Sequence, residues 1–313
     1  MMMERLDKPI NRRGFLRGSS KALAAFGAFA AGCTGREANP EGASQAAGTV
    51  SSDPDSWWDK EGFFVHEAVD AGRLPKGVIR ARIEGTWREF RVVELPDRFM
   101  DWSLQQRVAR LGRMVRAGGM DPRDLAGSHN ACVATYGGPS RDSAVSLNTA
   151  YKGMGFTVRA EILAETTRRI KEEKLRIERD YRSAPFRMMH EKVIFLTRFY
   201  QDTASFDRTK QVSLELFTER DFHTHTFLNM MANPITSASF LAFPTFEIRA
   251  VPQLLHPNNT GLSPHERDLV AYTNAVHDFI HSGPGERIAC VYHVIELFED
   301  TPNDTAKGRR IVP

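Results

Sequence analysis

Seven of the ten histidines of this 313-residue chain lie between Asp221 and His293, and two pairs of them have the spacing of metal ligands. In Phe222-His223-Thr224-His225 the imidazoles are two residues apart. On a strand both point to one face, which suits a chelate. If the run from Phe222 to Met231, which holds no Gly or Pro, is instead helical, the two diverge by about 200° and the chelate dissolves. In His277-Asp278-Phe279-Ile280-His281 the imidazoles are four apart, on one side of a helix. Together the pairs make a set of four nitrogens, with Asp278, Glu247 or Glu296 as further or supporting groups. Neutral imidazoles in that number suit zinc, copper or iron, including iron in haem. A plainer reading stands beside this one. His277 lies about 100° and His281 about 140° from the centre of their helix's apolar face, which places them on its flank or outside it, as solvated residues. A protonated imidazole there is also favoured by the negative end of the helix.

His129 and Cys132 are three apart. A Cys–His nucleophile pair needs the two groups close in space, which this spacing permits; a loop thiol or half of a disulfide is the ordinary alternative. Stronger signatures are absent. The sequence holds no Gly-x-Ser-x-Gly elbow, no phosphate loop, no Gly-x-Gly-x-x-Gly and no Cys-x-x-Cys, and His190-Glu191 lacks the second histidine of a zincin helix. Several common enzyme classes lose support thereby.

The elements that must carry these residues are partly legible. Val78 to Leu95 alternates around Gly85-Thr86, a hairpin pattern. Trp102, Leu104, Val108, Leu111 and Val115 recur at helical spacing up to Gly118-Gly119, predicting a helix over 102–117. Residues 128–155 are rich in Gly, Ser and Asn and read as a long irregular, functional stretch. Glu161 to Arg182 is charged, with Leu163, Ile170, Ile177 and Tyr181 as a thin apolar seam on a solvated helix. Val193–Leu196, Val212–Phe217, Phe240–Val251 and Ile288–Phe298 read as strands from their β-branched and aromatic content. Pro244 makes the third an edge strand, a bulged strand, or two strands. Phe240–Phe243 and Phe195–Tyr200 are apolar enough to line a ligand cavity, although core packing explains them as well. Ser263-Pro264-His265-Glu266 is a capping box opening a helix with Leu269, Tyr272, Thr273, Val276, Phe279 and Ile280 on its apolar face. Hairpins first and helices between later strands predict an α+β fold: a mostly antiparallel sheet with packed helices in a single main domain.

The N-terminus carries an address. Asn11-Arg12-Arg13-Gly14-Phe15-Leu16-Arg17 resembles the twin-arginine signal of bacterial and archaeal secretion. The apolar run Ala22 to Ala31 that follows is about ten residues, short of the roughly 20 that a bilayer core needs. A basic start, a short apolar run and small residues at its end describe a signal peptide. Phe29-Ala30-Ala31-Gly32-Cys33 resembles a lipobox, which implies lipidation of Cys33; ordinary cleavage after Ala28-Phe29-Ala30 is the alternative. Each acyl methylene buried in the bilayer contributes about 0.8 kcal/mol, so a multiply acylated Cys33 is a permanent anchor. Residues 34–56, rich in Gly, Ala, Ser, Glu and Pro, read as a linker. The domains are then signal 1–33, linker 34–56 and a globular body 57–313, long enough for a proper core.

The resemblance implies a periplasmic location or the outer face of a membrane, with the twin-arginine translocase and the membrane as partners. The net charge of +3 belongs to the signal: six Lys/Arg against Glu4 and Asp7 give residues 1–33 +4, leaving −1 for the remainder. That balance gives no reason to expect nucleic acid. With Cys33 lipidated, Cys132 and Cys290 remain as a possible disulfide in an oxidising compartment. The expected role is an exported, lipid-anchored protein of ligand-binding or accessory type, including a subunit carried by a partner. The alternative is an extracytoplasmic metalloenzyme or haem protein using His223, His225, His277 and His281.

Overall fold

The computed structural model describes residues 53–117, 126–139, 142–281, 285–302 and 308–312. Arg12, Arg13, Cys33 and the linker up to residue 52 lie outside them. The chain is α+β, as the sequence predicts. A small antiparallel sheet, β1 (Val69–Asp70), β2 (Val78–Ile83) and β3 (Thr86–Arg91), comes first. Helix α1 (Asp97–Ala117) follows, then β4 (Asn130–Tyr136), β5 (Leu147–Gly153) and β6 (Gly155–Val158). Helices α2 (Leu163–Asp180) and α3 (Pro185–Gln201) form a hairpin ahead of β7 (Phe206–Glu215). The remainder alternates: α4 (His225–Ala232), β8 (Thr236–Ser239), β9 (Phe246–Leu255), α5 (Pro264–His281), β10 (Ile288–Glu299) and β11 (Arg309–Val312).

The large sheet runs β5-β4-β8-β9-β10-β7-β6, with β11 also on β10, and every pairing is antiparallel. It curls into a half-barrel. Its two outer strands are one segment: β5 pairs with β4, β6 pairs with β7, and only Met154 stands between them. Ala131, Val133 and Thr135 of β4 alternate inward, and all three are buried. Inside lies an aromatic core in which Phe99 and Trp102 of α1 pack on Phe240 and Phe246 with ring centroids 4.9–5.8 Å apart. Each such buried ring contributes about 2–3 kcal/mol.

Several local patterns hold as read. β2 buries Ile79, Ala81 and Ile83 in strict alternation, and they pack with Val251 and Ile295 of the large sheet. Its two-residue turn needs positive φ twice, supplied by Glu84 (φ 50°) and Gly85 (φ 76°). The capping box closes as predicted: Ser263 N–H donates to Glu266 Oε2 (2.8 Å), and Glu266 N–H to Ser263 Oγ (3.3 Å). The 102–117 helix starts earlier, at Asp97, directly after Pro96. Of the Phe240–Val251 run only Phe246–Val251 is strand, the start of β9; Phe240–Thr245, which holds Pro244, is the connection from β8.

Two expectations fail. Val193–Leu196 is part of α3, not a strand. Val193, Leu196 and Tyr200 form a buried stripe at helical spacing, and Pro185 opens the helix at its first turn; that periodicity overrides the local β preference of the four residues. The stretch 128–155 is not irregular but holds β4 and β5. The alternation of β5 is inverted: inward positions carry Asn148, Ala150 and Lys152, while Leu147 and Tyr151 are two-thirds exposed. A hydrophobic period of two is therefore invisible there.

The inward polar residues of β5 are matched inside. Lys152 Nζ donates to Glu215 Oε2 at 2.6 Å, and Asn148 Nδ2 to Thr226 Oγ1 at 2.9 Å. Glu215 is only 3 % exposed. An ion pair this deep costs desolvation that only a partner in good geometry offsets.

Candidate functional site

The two histidine pairs do not meet. Thr224 caps α4, its Oγ1 accepting from Phe227 N–H at 3.1 Å, so His223 precedes the helix and His225 opens it. His223 Nε2 accepts from Trp58 Nε1–H at 2.8 Å, and its ring stacks against Trp58 and Phe227. His225 Nε2 donates instead to Asp142 Oδ1 at 2.6 Å. A pair that straddles a helix start sends its rings to different partners, and this one is no chelate.

His277 and His281 lie on the last turns of α5 with ring centroids 4.9 Å apart. Partial burial lowers the basicity of both, His281 further lowers that of His277, and Arg110 that of His281. The predicted supporting carboxylates are committed elsewhere. Asp278 accepts from Lys174 Nζ at 2.5 Å, while Glu247 and Glu296 hold Arg249 at 2.9 and 3.3 Å. Among the described residues no three His, Cys, Asp or Glu side chains form a group able to hold a metal ion. The four-histidine centre expected from spacing is therefore not assembled.

A group that the sequence reading passed over stands beside His277 and His281. Arg107 of α1 is 2 % exposed. Its Nη2 donates to the carbonyls of Ser128 (2.9 Å) and Met154 (2.6 Å), and its Nη1 to His129 Nδ1 (3.2 Å). Its guanidinium also lies over the rings of Phe156 (5.0 Å) and Tyr200 (5.7 Å). No carboxylate is among these partners; carbonyl dipoles and π faces carry the charge. With Nδ1 accepting, His129 is the neutral tautomer with its proton on Nε2. Burial, then Arg107, Arg110, His281 and His277, hold His129 well below the ordinary imidazole range. Two guanidinium groups and three imidazoles thus crowd one end of the molecule. The signal available beforehand was Arg107 itself: it falls between Leu104 and Leu111 on the buried face of the predicted helix.

This end is remote from His223 and His225. His129 adjoins the first residue of β4, whereas β5 and α4 meet, through Asn148 and Thr226, beside its last, Tyr136. At about 3.3 Å per residue the two ends of β4 stand about 20 Å apart.

The cysteine expectations also change. Cys132 and Cys290 are both free. Cys132 on β4 and Cys290 on β10 are separated by β8 and β9, about 14 Å at ordinary strand spacing, beyond the 7 Å limit between Cα atoms of a disulfide. Burial pushes the Cys290 thiol up to about 12, and its Sγ lies 3.8 Å from Met230 Sδ. Cys132 lies on the face of β4 opposite its buried residues, and Arg107 takes the Nδ1 of His129. No Cys–His nucleophile pair forms.

Two other histidines, His66 and His293, are buried in the core. His66 spans α4 and β9: its Nε2 donates to Met230 O (2.9 Å) and its Nδ1 accepts from Leu254 N–H (3.0 Å). Burial holds His66 at about 4 and His293 at about 3. Phe240 packs in the core, while Leu241 and Phe243 are exposed. No described helix is long and apolar enough to cross a membrane. No family model matches this chain, and neither the curated proteins nor the solved structures compared with it contain a match.

Proposed function

We propose that this chain is an exported, lipid-anchored extracytoplasmic protein with a ligand-binding or accessory role, and that its ligand is a small anion taken at the arginine–histidine end. The location is supported by the twin-arginine and lipobox-like motifs at Arg12, Arg13 and Cys33. The ligand class is carried by one observation: among the described residues Arg107 is buried without a carboxylate partner, beside His129, His277 and His281. A carboxylate or phosphate near these imidazoles offsets like-charge crowding and raises their affinity for protons.

Titration with inorganic phosphate, followed by the imidazole resonances, tests the reading. Saturable shifts are expected at His129, His277 and His281, lost on His277→Ala/His281→Ala and absent at His223 and His225. Uniform or non-saturating shifts remove the anion site. The intact mass of the mature N-terminus tests lipid on Cys33 separately.

A second reading, a His-ligated metalloenzyme or haem protein, retains the adjacency of His277 and His281. Two nitrogens need further ligands from outside the described residues. Stoichiometric transition metal in the purified protein, lost with those two histidines, selects it over the first.

A further inference from the structure

The hairpin of α2 and α3 carries a surface that the anion site does not use. Leu175, Met188, Met189 and Ile280, from the two helices and the end of α5, line a groove of about 780 Å³. Leu175 is 67 % exposed, and Phe186, at the tip of the hairpin, 65 %. Apolar side chains this exposed on a charged helical pair mark a contact surface rather than a core.

The charge around the groove is one-sided. Arg179, Arg182 and Lys192 line it with one carboxylate, Glu178, which accepts from Lys192 at 2.8 Å. Arg179 is paired with Asp180 at 2.8 Å. Arg182 and Arg187 are exposed and make no hydrogen bond or ion pair among the described residues. The acids are thus already neutralised, and two arginines stand unpaired beside Phe186. Arginines flanking an exposed aromatic and aliphatic tip match an anionic bilayer surface, in which the ring enters the headgroup boundary and the guanidinium groups meet phosphates.

We infer that the α2–α3 hairpin tip docks this domain onto a membrane containing anionic phospholipid. The inference rests on the proposal that the chain is held at a membrane, and it assigns the face that lies down on that membrane. Residues 34–52 between Cys33 and the first described residue span at most roughly 70 Å when fully extended, so an anchored domain stays within reach of the bilayer whichever face it presents.

Co-sedimentation of the full-length Cys33→Ser chain, which cannot be acylated there, with phosphatidylcholine vesicles with and without phosphatidylglycerol tests the docking face apart from the anchor. Binding is expected only with phosphatidylglycerol, falling as salt rises. Each arginine at such a surface is worth about fivefold, so Arg182→Glu/Arg187→Glu weakens binding by more than tenfold. Phe186→Ser weakens it on its own. Unchanged urea midpoints, expected at exposed positions, show that the variants remain folded. Equal binding by the charge-reversed and parent chains overturns the docking face. So does binding of an acidic helical peptide, or of a soluble short-chain phosphatidylglycerol, without vesicle binding. Lipid found on Cys33 by mass supports the anchor whatever the vesicles show; its absence, with vesicle binding intact, removes the anchor and leaves the docking face.

Discussion

The half-barrel treats its histidines differently at its two ends. Near α4 each imidazole has a dedicated neutral or acidic partner: His223 takes Trp58, His225 takes Asp142, and His66 joins Met230 to Leu254. At the far end burial, and then neighbouring guanidinium groups, depress His129 and His281, while burial and then His281 depress His277. Histidine in the first setting is a structural clip. In the second it is a group set among like charges. The spacing of the two sequence pairs says nothing of this difference, because partners that decide it, Trp58 and Arg107, are distant in the chain.

Substitutions at the two ends sharpen or break the contrast. Arg107→Ala leaves the carbonyls of Ser128 and Met154 without their guanidinium donors; at roughly 2 kcal/mol for each buried acceptor the expected loss is about 4 kcal/mol in urea unfolding. Arg107→Lys recovers little of it, since one ammonium cannot span the same acceptors. The contrast fails if Arg107→Ala costs no more than Trp58→Phe.

Acid tests the clips. His66 holds its proton only below about 4 when folded, against 6.5 for the unexposed-to-partner reference of the unfolded chain. The unfolded chain therefore binds more protons in that window, and the stability contributed by neutral His66 is whole above pH 6.5 and is lost as pH falls toward 4. The difference amounts to about 3 kcal/mol. His66→Gln, which cannot titrate, is expected to lose about that much less than the parent chain over the same range. Parallel pH profiles for the two proteins refute the assignment.

Smaller effects follow at the α4 end. Trp58→Phe removes one hydrogen bond to His223 and is expected to cost about 1 kcal/mol in thermal or urea unfolding. His225→Ala breaks an exposed contact to Asp142 and is expected to change stability by no more than about 0.5 kcal/mol. A cost of several kcal/mol there shows His225 to be more than a surface pair.

What was legible in the sequence followed from local repetition. The β2–β3 hairpin, the capped helix α5 and the seam of Leu163, Ile170 and Ile177 along α2 each obey a single period and were found. Val193–Leu196 of α3, a short β-branched and aromatic run, resembles a strand until its neighbours at helical spacing are counted. β5 was missed because its inward face is polar, satisfied by Glu215 and Thr226 from far along the chain. Of the candidate site, His277 and His281 were found and lie side by side. His129 was noted for its nearness to Cys132, not for Arg107. The guanidinium itself escaped because an arginine on a mostly apolar helix face reads as a surface residue until the elements that bury it, the chain at Ser128 and Met154, are in place.

The segment from Leu147 to Val158 belongs to both margins of the sheet at once. Asn148, Ala150, Lys152, Met154 and Phe156 keep one even-numbered phase through the change of partner, with Met154 wholly enclosed at the crossing, and the β6–β7 register shifts only after Phe156. Removing or adding a single residue near Met154 inverts one half relative to the other: either Lys152 swings away from Glu215, or Phe156 leaves the aromatic interior for water. Substitution is tolerable on the exposed side of this seam, at Leu147 and Tyr151. A change of length is not, and libraries of single-residue deletions across 147–158 should return almost no soluble protein.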